Sequence, residues 1–596
     1  MSYWPHPSDI AILVALFGLA LGCQKTDSAV PSNRSPSVPQ QAEIDDSPWF
    51  VDITEQSGLN FVHDAGPLGK YFMPESLGSG AALFDFDNDG RLDIYLVQNG
   101  GPNSRSTNRL YHQGPDGRFT DVSAGSGLDV AGYGMGLAIG DVNNDGRPDV
   151  LLTEYGRIRL FLNNGNGTFT DITKEAGLDN PFWGTSASFV DYDRDGWLDL
   201  VVVNYVDYVE GRPCLNAAGH REYCGPNSFS GQVTKLFHNL GPVAAARSAG
   251  NGTARAALPV RFKDVTSECG FGRLPGPGLG VFCGDFNGDG WPDIFVANDA
   301  KPNHLWINQR DGTFKEEAVA RGIAYNAMGK AEANMGIAVG DVDGDGLFDV
   351  FVTHLTDENN RLWKQEPRGM FQDRTVSLGL ANPRWRGTGF GTLLGDFDHD
   401  GAVDLAVANG RVKRPVGTPV GGSGTADSFW RSYAERNQLF ANQGDGRFRD
   451  ISPHNAPFCG TPRVSRGLAC GDIDNDGALD LLVTSVSAPA RLYRNVARKR
   501  GHWLLIRALD PRLQRDAYGA EIHVRAGGRR WVRCINPGYS FLCSNDPRAH
   551  FGLGQATHID EIQVFWPDGS EEAFDGRDAD QVAVLRKGEG KLIIKN

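Results

Sequence analysis

The chain has 596 residues, too many for one ordinary hydrophobic core unless that core is built by repetition. Gly is abundant at 76, Phe and Trp number 32 and 12, and long amphipathic helical patterns are scarce, which favours an all-β repeat protein. A formal net charge of −15 argues against a nucleic-acid partner and calls for a source of compensating positive charge.

Residues 1–23 read as an export signal. Ile10 to Leu21 is a nearly unbroken apolar run, too short to span a bilayer and suited to the core of a signal peptide. It ends in Ala20-Leu21-Gly22-Cys23, which resembles a bacterial lipobox, so Cys23 is expected to be lipidated and to become the mature N-terminus. Two departures keep plain secretion as the other reading: the first nine residues hold no Lys or Arg, and Ala20 stands where Leu is commoner. Residues 24–47 are rich in Pro, Ser and Gln without periodicity and read as a disordered tether.

From residue 48 a strand-like segment, Trp49 to Thr54, precedes a unit written seven times. Each unit starts with a Gly/Ala-rich strand ending at a DxDxDGxxD loop, whose third position is Asp or Asn. Positions 1, 3, 5 and 9 are Asp85, Asp87, Asp89 and Asp93; Asp141, Asn143, Asp145 and Asp149; Asp191, Asp193, Asp195 and Asp199; Asp285, Asn287, Asp289 and Asp293; Asp341, Asp343, Asp345 and Asp349; Asp396, Asp398, Asp400 and Asp404; and Asp472, Asp474, Asp476 and Asp480. Carboxylates at alternate positions of a tight loop can all turn towards one hard cation, and Gly at position 6 permits the sharp turn. An EF-hand would carry Glu at position 12 followed by a helix. Here position 12 is Leu or Val inside short apolar runs such as Ile94-Tyr95-Leu96, which read as buried strands. A polar turn is the bland alternative, but it does not need four carboxylates crowded together. Up to seven Ca2+ sites are therefore expected, with loops two and four weaker because Asn143 and Asn287 each remove a charge. Seven ions would bring the loaded protein near neutrality.

A third strand, of the kind Asn108-Arg109-Leu110-Tyr111, and a tight turn such as Gly165-Asn166-Gly167 lead to a fourth strand in six of the units. The seventh unit has no fourth strand after Arg491 to Asn495, and the segment Trp49 to Thr54 is available to supply it. Residues 48–497 are thus expected to form an all-β, seven-bladed β-propeller locked by its own N-terminus. Two long insertions, Asn204–Lys235 and Arg411–Arg436, and a swollen turn, Gly241–Val260, read either as functional lids or as tolerated surface additions. After residue 498 the repeat vanishes, and residues 498–596 read as a smaller β domain.

With Cys23 set aside, eight cysteines fall as sequence neighbours. Local disulfides Cys214/Cys224, Cys269/Cys283, Cys459/Cys470 and Cys534/Cys543 are the simplest expectation in an oxidising compartment; zinc is the rival, although no pair has CxxC spacing.

The seven loops with their flanking apolar strands resemble FG-GAP/VCBS repeats, the propeller modules also found in integrin α-subunits. Arg515 to Ala520, Gly538-Tyr539-Ser540, Phe551 to Gly554 and Val564 to Gly569 resemble the ASPIC/UnbV domain. Together they are similar to bacterial relatives of the cartilage acidic protein family, with Tyr518 where a smaller apolar residue is commoner. The resemblance implies an extracellular calcium-binding scaffold for adhesion or protein contacts; with the N-terminal signal, the expectation is a protein or glycan binder held at the outer membrane or cell surface by a lipid anchor on Cys23, or secreted.

The alternative is a polysaccharide-active enzyme using one propeller face. No HExxH or GxSxG motif is present, and His112, His238 and His304 in the third strands read as structural rather than catalytic. His354 and His399 have no evident partner in the sequence. The scaffold is the stronger reading, and a third possibility puts the function in the C-terminal domain.

Overall fold

Blades that stack on both sides bury both faces of their central strands, which is why these strands appear in the sequence as unbroken apolar runs. The computed structural model describes residues 47–242, 259–381, 385–415, 426–498 and 501–593. The export signal, Cys23 and the tether to residue 46 lie outside the described residues, as do most of the swollen turn and the middle of the second insertion.

Seven four-stranded antiparallel blades are present. Their inner strands are Ala81–Phe84, Gly134–Gly140, Gly184–Val190, Gly278–Gly284, Ile337–Gly340, Gly389–Gly395 and Ser465–Gly471. Each second strand begins at the ninth residue of a loop motif, from Asp93–Leu96 in blade 1 to Asp480–Ser485 in blade 7. Neighbouring inner strands touch one another around the whole ring, blade 7 against blade 1 included. The approach at the axis is close enough to require glycine. A Cβ on Gly80 would sit 2.3 Å from the carbonyl oxygen of Met135 in the next blade.

The N-terminal strand Phe50–Asp52 pairs antiparallel with Arg491–Asn495 and completes blade 7, as the strand count requires. Phe50 is fully buried, with its ring 5.4 Å from Phe397 and 6.0 Å from Phe458.

Residues 502–592 build two further sheets of their own, one around His502–Asp510 and one around Glu521–Ala526 and His558–Phe565. This cap belongs to the same compact unit as the propeller, and its apolar core runs on into the packing between blades 2 and 3. Between the cap strands Arg529–Cys534 and Ala549–Gly554, the chain leaves the cap and enters the axial channel. There it meets all seven inner strands. Cys543–Ser544 pairs with Ala81–Ala82 of blade 1, and Leu542 lies against Gly136 of blade 2. The amide of Leu542 reaches Ser186 Oγ of blade 3 at 3.4 Å. Asn536 donates to the Cys283 carbonyl of blade 4 at 2.7 Å. Ser540 and Ile337 of blade 5 exchange backbone hydrogen bonds. The amide of Thr392 in blade 6 donates to Ser540 Oγ at 3.0 Å, and that of Cys470 in blade 7 to Asn545 Oδ1 at 3.0 Å.

Of the four expected disulfides one is formed: Cys214–Cys224, inside the first insertion. Cys269, Cys283, Cys459, Cys470, Cys534 and Cys543 are free thiols. The pairing by sequence neighbourhood fails because each short connection crosses the structure. Cys269 and Cys459 follow outer strands at the rim, whereas Cys283 and Cys470 lie on the inner strands of the next blades. Cys534 ends a cap strand, while Cys543 lies in the channel. Burial pushes these thiols up, to about 11 for Cys269 and about 12 for Cys283, Cys470 and Cys543, so they act as small apolar side chains.

Candidate metal centres

Each loop lies at the end of the ring facing the cap, and its geometry repeats. The position-1 carboxylate accepts hydrogen bonds from backbone N–H groups of the same loop: Asp85 from Asp89 and Gly90, both at 2.9 Å, and Asp472 from Asp476 and Gly477 at 3.0 and 2.9 Å. The position-4 residue takes a left-handed conformation in every copy, whether Asn88, Asn144, Arg194, Gly288, Gly344, His399 or Asn475. That conformation turns the backbone so that positions 5 and 6 point back at position 1.

Position 9 does a second job. Its two oxygens accept one N–H from position 2 and one from the end of the third strand: Asp480 from Ile473 at 3.1 Å and Asn495 at 2.8 Å, Asp149 from Val142 at 3.0 Å and Asn163 at 2.9 Å. Asp93, Asp199, Asp293, Asp349 and Asp404 do the same. These carboxylates are almost entirely buried.

The carboxylates converge. In loop one, oxygens of Asp85, Asp87 and Asp89 lie within 4.8 Å of one another; the same holds for Asp191, Asp193 and Asp195 in loop three and for Asp341, Asp343 and Asp349 in loop five. Several buried acceptors in these loops have no donor among the described residues, namely Asn143 Oδ1, Asp191 Oδ1 and Asp343 Oδ1. Desolvation pushes Asp141 and Asp191 to about 6, Asp93 and Asp472 to about 7 and Asp199 and Asp349 to about 8, and holds Asp149, Asp293, Asp404 and Asp480 well above the ordinary carboxylate value. Buried oxygens held in a ring, lacking donors and resisting ionisation, are the environment a divalent cation relieves. The donor set is all oxygen, which suits Ca2+.

The seven loops are not equivalent, and one register position makes the difference. The penultimate residue of the third strand is His112, Leu162, His238, Ile307, Lys364, Ala441 and Arg494 in blades 1 to 7; the four polar ones reach their loops, while Leu162, Ile307 and Ala441 belong to apolar clusters. His112 Nδ1 lies 3.1 Å from Asp93, and His238 Nδ1 lies 3.0 Å from Asp199. Lys364 Nζ lies 3.0 Å from Asp343 and also contacts Asp345. His112 and His238 therefore belong to the loops, a role that their strand pattern alone did not suggest. The aligned column was the available signal. His304 sits at the other end of its strand, buried and away from the loops.

The cap grips the same loops. Arg515, buried, donates to Asn144 Oδ1 at 2.9 Å and to the Gly196 carbonyl at 3.2 Å. Arg529 and Trp531 Nε1 both donate to the Gly401 carbonyl, at 3.0 and 2.9 Å. Arg548 donates to the Asp472 carbonyl and to Asn475, while His550 Nε2 lies 2.9 Å from the Gly477 carbonyl. The carbonyls of Gly196, Gly401 and Gly477 occupy position 6 of their loops. A crevice of about 360 Å³ remains between the cap and blades 1 and 2. Its guanidinium groups are already engaged, Arg507 with Asp516 and Arg548 with Asp546. None of this collar was evident from sequence spacing, because the arginines stand from 73 to 371 residues away from the loops they hold.

The chain matches the FG-GAP-like repeat at residues 85–152, 141–202, 285–352, 341–407 and 421–483, and the ASPIC and UnbV model at 510–592. It is 24% identical to human cartilage acidic protein 1 over 545 residues, covering 87% of this chain and 74% of that protein. The Xenopus tropicalis protein of the same name is 24% identical over 517 residues, covering 83% and 71%. Among solved structures, that of an Agrocybe aegerita lectin overlaps at a TM-score of 0.35 with 14% identity, covering 64% of this chain and 84% of that one. On the extent of the repeat match, and with the propeller and its cap in view, the chain belongs to the FG-GAP repeat family and carries a C-terminal ASPIC and UnbV domain.

Proposed function

We propose that the protein is an exported scaffold whose propeller is rigidified by up to seven Ca2+ ions and whose surface binds an extracellular protein or glycan. The observation that supports this most is the repeated loop geometry, in which position 1 is preorganised by backbone N–H groups while buried acceptors such as Asp191 Oδ1 have no donor among the described residues. The disulfide Cys214–Cys224 fits an oxidising compartment. Cys23 would anchor the chain to the outer membrane or cell surface.

The test is thermal unfolding with Ca2+ and after chelation. At tenfold excess over its dissociation constant each site adds about 1.4 kcal/mol, so several filled sites raise the melting temperature by many degrees. An identical melt in chelator would remove the calcium role. Replacing Cys23 by Ser should move the protein from the membrane fraction to the soluble one; unchanged partitioning would rule out the lipid anchor.

A further inference from the structure

The cap covers the loop face of the ring, which leaves the opposite face for a ligand. Both long insertions leave from that face, because each follows a second strand, and they join across it. Arg414 of one donates to Glu222 of the other at 2.9 Å, and Tyr223 stacks on Trp430 at 5.9 Å between ring centres. Beside this bridge opens a cavity of about 520 Å³, within the range of about 300–1,000 Å³ usual for small-ligand sites.

Four parts of the chain wall it: residues 64–75 before blade 1, residues 100–104 after the second strand of blade 1, Tyr133 just before the inner strand of blade 2, and Glu210 of the first insertion. The ring of Tyr133 packs 4.9 Å from Phe72 and 6.1 Å from Tyr155. It rests on bare backbone, since Gly101 has φ of 95° and a Cβ there would come 2.9 Å from the tyrosine ring. The polar groups are mixed in kind. Asp64 accepts hydrogen bonds from the Gly66 amide and the Ser104 hydroxyl, both at 2.9 Å. Although burial opposes it, these donors and Ser106 hold Asp64 below the usual carboxylate value, so it is an ionised acceptor. Glu75 is 3% exposed and touches Tyr223 Oη at 3.1 Å. Burial pushes it up to about 8, which leaves it an O–H donor at neutral pH. Lys70 adds a second donor.

An aromatic wall beside interleaved donors and acceptors matches a ring with apolar C–H faces and an equatorial belt of hydroxyls. One lysine against Asp64 and Glu210 leaves no excess positive charge for a phosphate or sulfate. We propose that this cavity binds a neutral oligosaccharide, with a pyranose stacked on Tyr133 and its hydroxyls on Asp64, Glu75 and Lys70. The proposal rests on the binding-scaffold reading above and names its ligand class and its place.

The experiment offers the full mature chain to immobilised neutral oligosaccharides (xylo-, cello-, manno- and chito-series), with simple amines and acidic glycans alongside. Retention of at least one neutral series is expected, falling at least tenfold in Tyr133→Ala and in Lys70→Ala. Both substitutions lie at a partly open cavity, and each variant is kept only if its melting temperature matches the parent's. Failure to retain any neutral series, preference for amines or acidic glycans, or equal retention by Tyr133→Ala would each overturn the proposal. A melt that responds to Ca2+ with no glycan retained sinks the cavity assignment and leaves the calcium scaffold standing. Glycan retention with a calcium-blind melt does the reverse.

Discussion

Within a loop, carboxylates that look alike in sequence do different work, and single substitutions should separate them. Asp480 holds two backbone N–H groups and is buried, so Asp480→Ala leaves both unsatisfied and should cost about 2–4 kcal/mol with or without Ca2+. Asp474 at position 3 has a side chain 35% exposed, with Arg494 at 3.9 Å, and it accepts neither of those two backbone N–H groups. Asp474→Ala should therefore cost less than Asp480→Ala in chelator, with a cost that grows when Ca2+ is present. Chemical denaturation of both variants in the two conditions checks the contrast; equal costs in chelator would show that position 9 has no structural role of its own. Lys364 makes a further case. Its ammonium already neutralises Asp343 and Asp345, so loop five competes with its own cation. Lys364→Met should raise the number of Ca2+ ions bound by one or tighten the weakest site, as counted by native mass spectrometry.

At the scale of elements, a strand that closes a ring is worth more than its three residues suggest. Phe50 fills a fully buried place between Phe397 and Phe458, so Phe50→Ala should cost about 3–5 kcal/mol and open blade 7 before the others. Hydrogen exchange in Arg491–Asn495 reads this directly; uniform loosening of all blades would argue against a local latch. The blades are also stitched side to side. The side-chain Nδ2 of Asn163 donates to the Phe86 carbonyl at 2.7 Å, that of Asn442 to the Val342 carbonyl at 2.8 Å and that of Asn495 to the Phe397 carbonyl at 2.9 Å. Gln113 closes the circle on Ile473 at 3.0 Å.

What was legible in the sequence is what repeats. Seven loops in one register announce their strands, and an orphan strand before Asp85 announces its partner after Asp480. The cysteine pairs were not legible, because Cys269 and Cys283 are close in sequence but divided between rim and axis. The channel segment 536–546 was not legible either. Gly538-Tyr539-Ser540 stands out in the sequence only through the resemblance to the ASPIC/UnbV domain, and its place at the axis emerges once the seven inner strands are set around it. The cavity at Tyr133 is assembled from residues 64 to 210 across three blades, and no local pattern marks it.

Across the whole molecule, two sets of buried groups respond to acid with opposite sign, and the histidines are the set that loosens the fold. Burial holds His63, His304 and His354 at about 4, well below the free value near 6.5. At these side chains the unfolded chain binds more protons between those values, so their contribution to stability is full above pH 6.5 and lost as pH falls towards 4, whereas the raised loop carboxylates of the metal-free fold gain stability as they take up protons. The loss would reach roughly 3 kcal/mol for each histidine. Replacing His304 by Phe should flatten this limb of the stability profile; an unchanged limb would place the acid sensitivity elsewhere.

The largest coupling links cap to loops. The cap donates to the position-6 carbonyls of Gly196, Gly401 and Gly477, so it is seated on the part of each loop whose shape a bound cation would set. A cation that fixes those carbonyls fixes the receptor for Arg515, Arg529 and His550, and by linkage the docked cap raises the affinity of the loops for the cation. Chelation should therefore release the cap before it unfolds the blades. In hydrogen exchange, residues 536–546 and Arg529–Cys534 are expected to lose protection first on calcium removal, while the second strands, such as Asp404–Asn409, keep theirs. Arg515→Met should mimic part of this release with calcium still present, because it removes a buried guanidinium that bridges loops two and three and leaves its acceptors unpaired. Simultaneous loss of protection in cap and blades would show instead that the metal holds the ring as one cooperative body, with the cap as passenger.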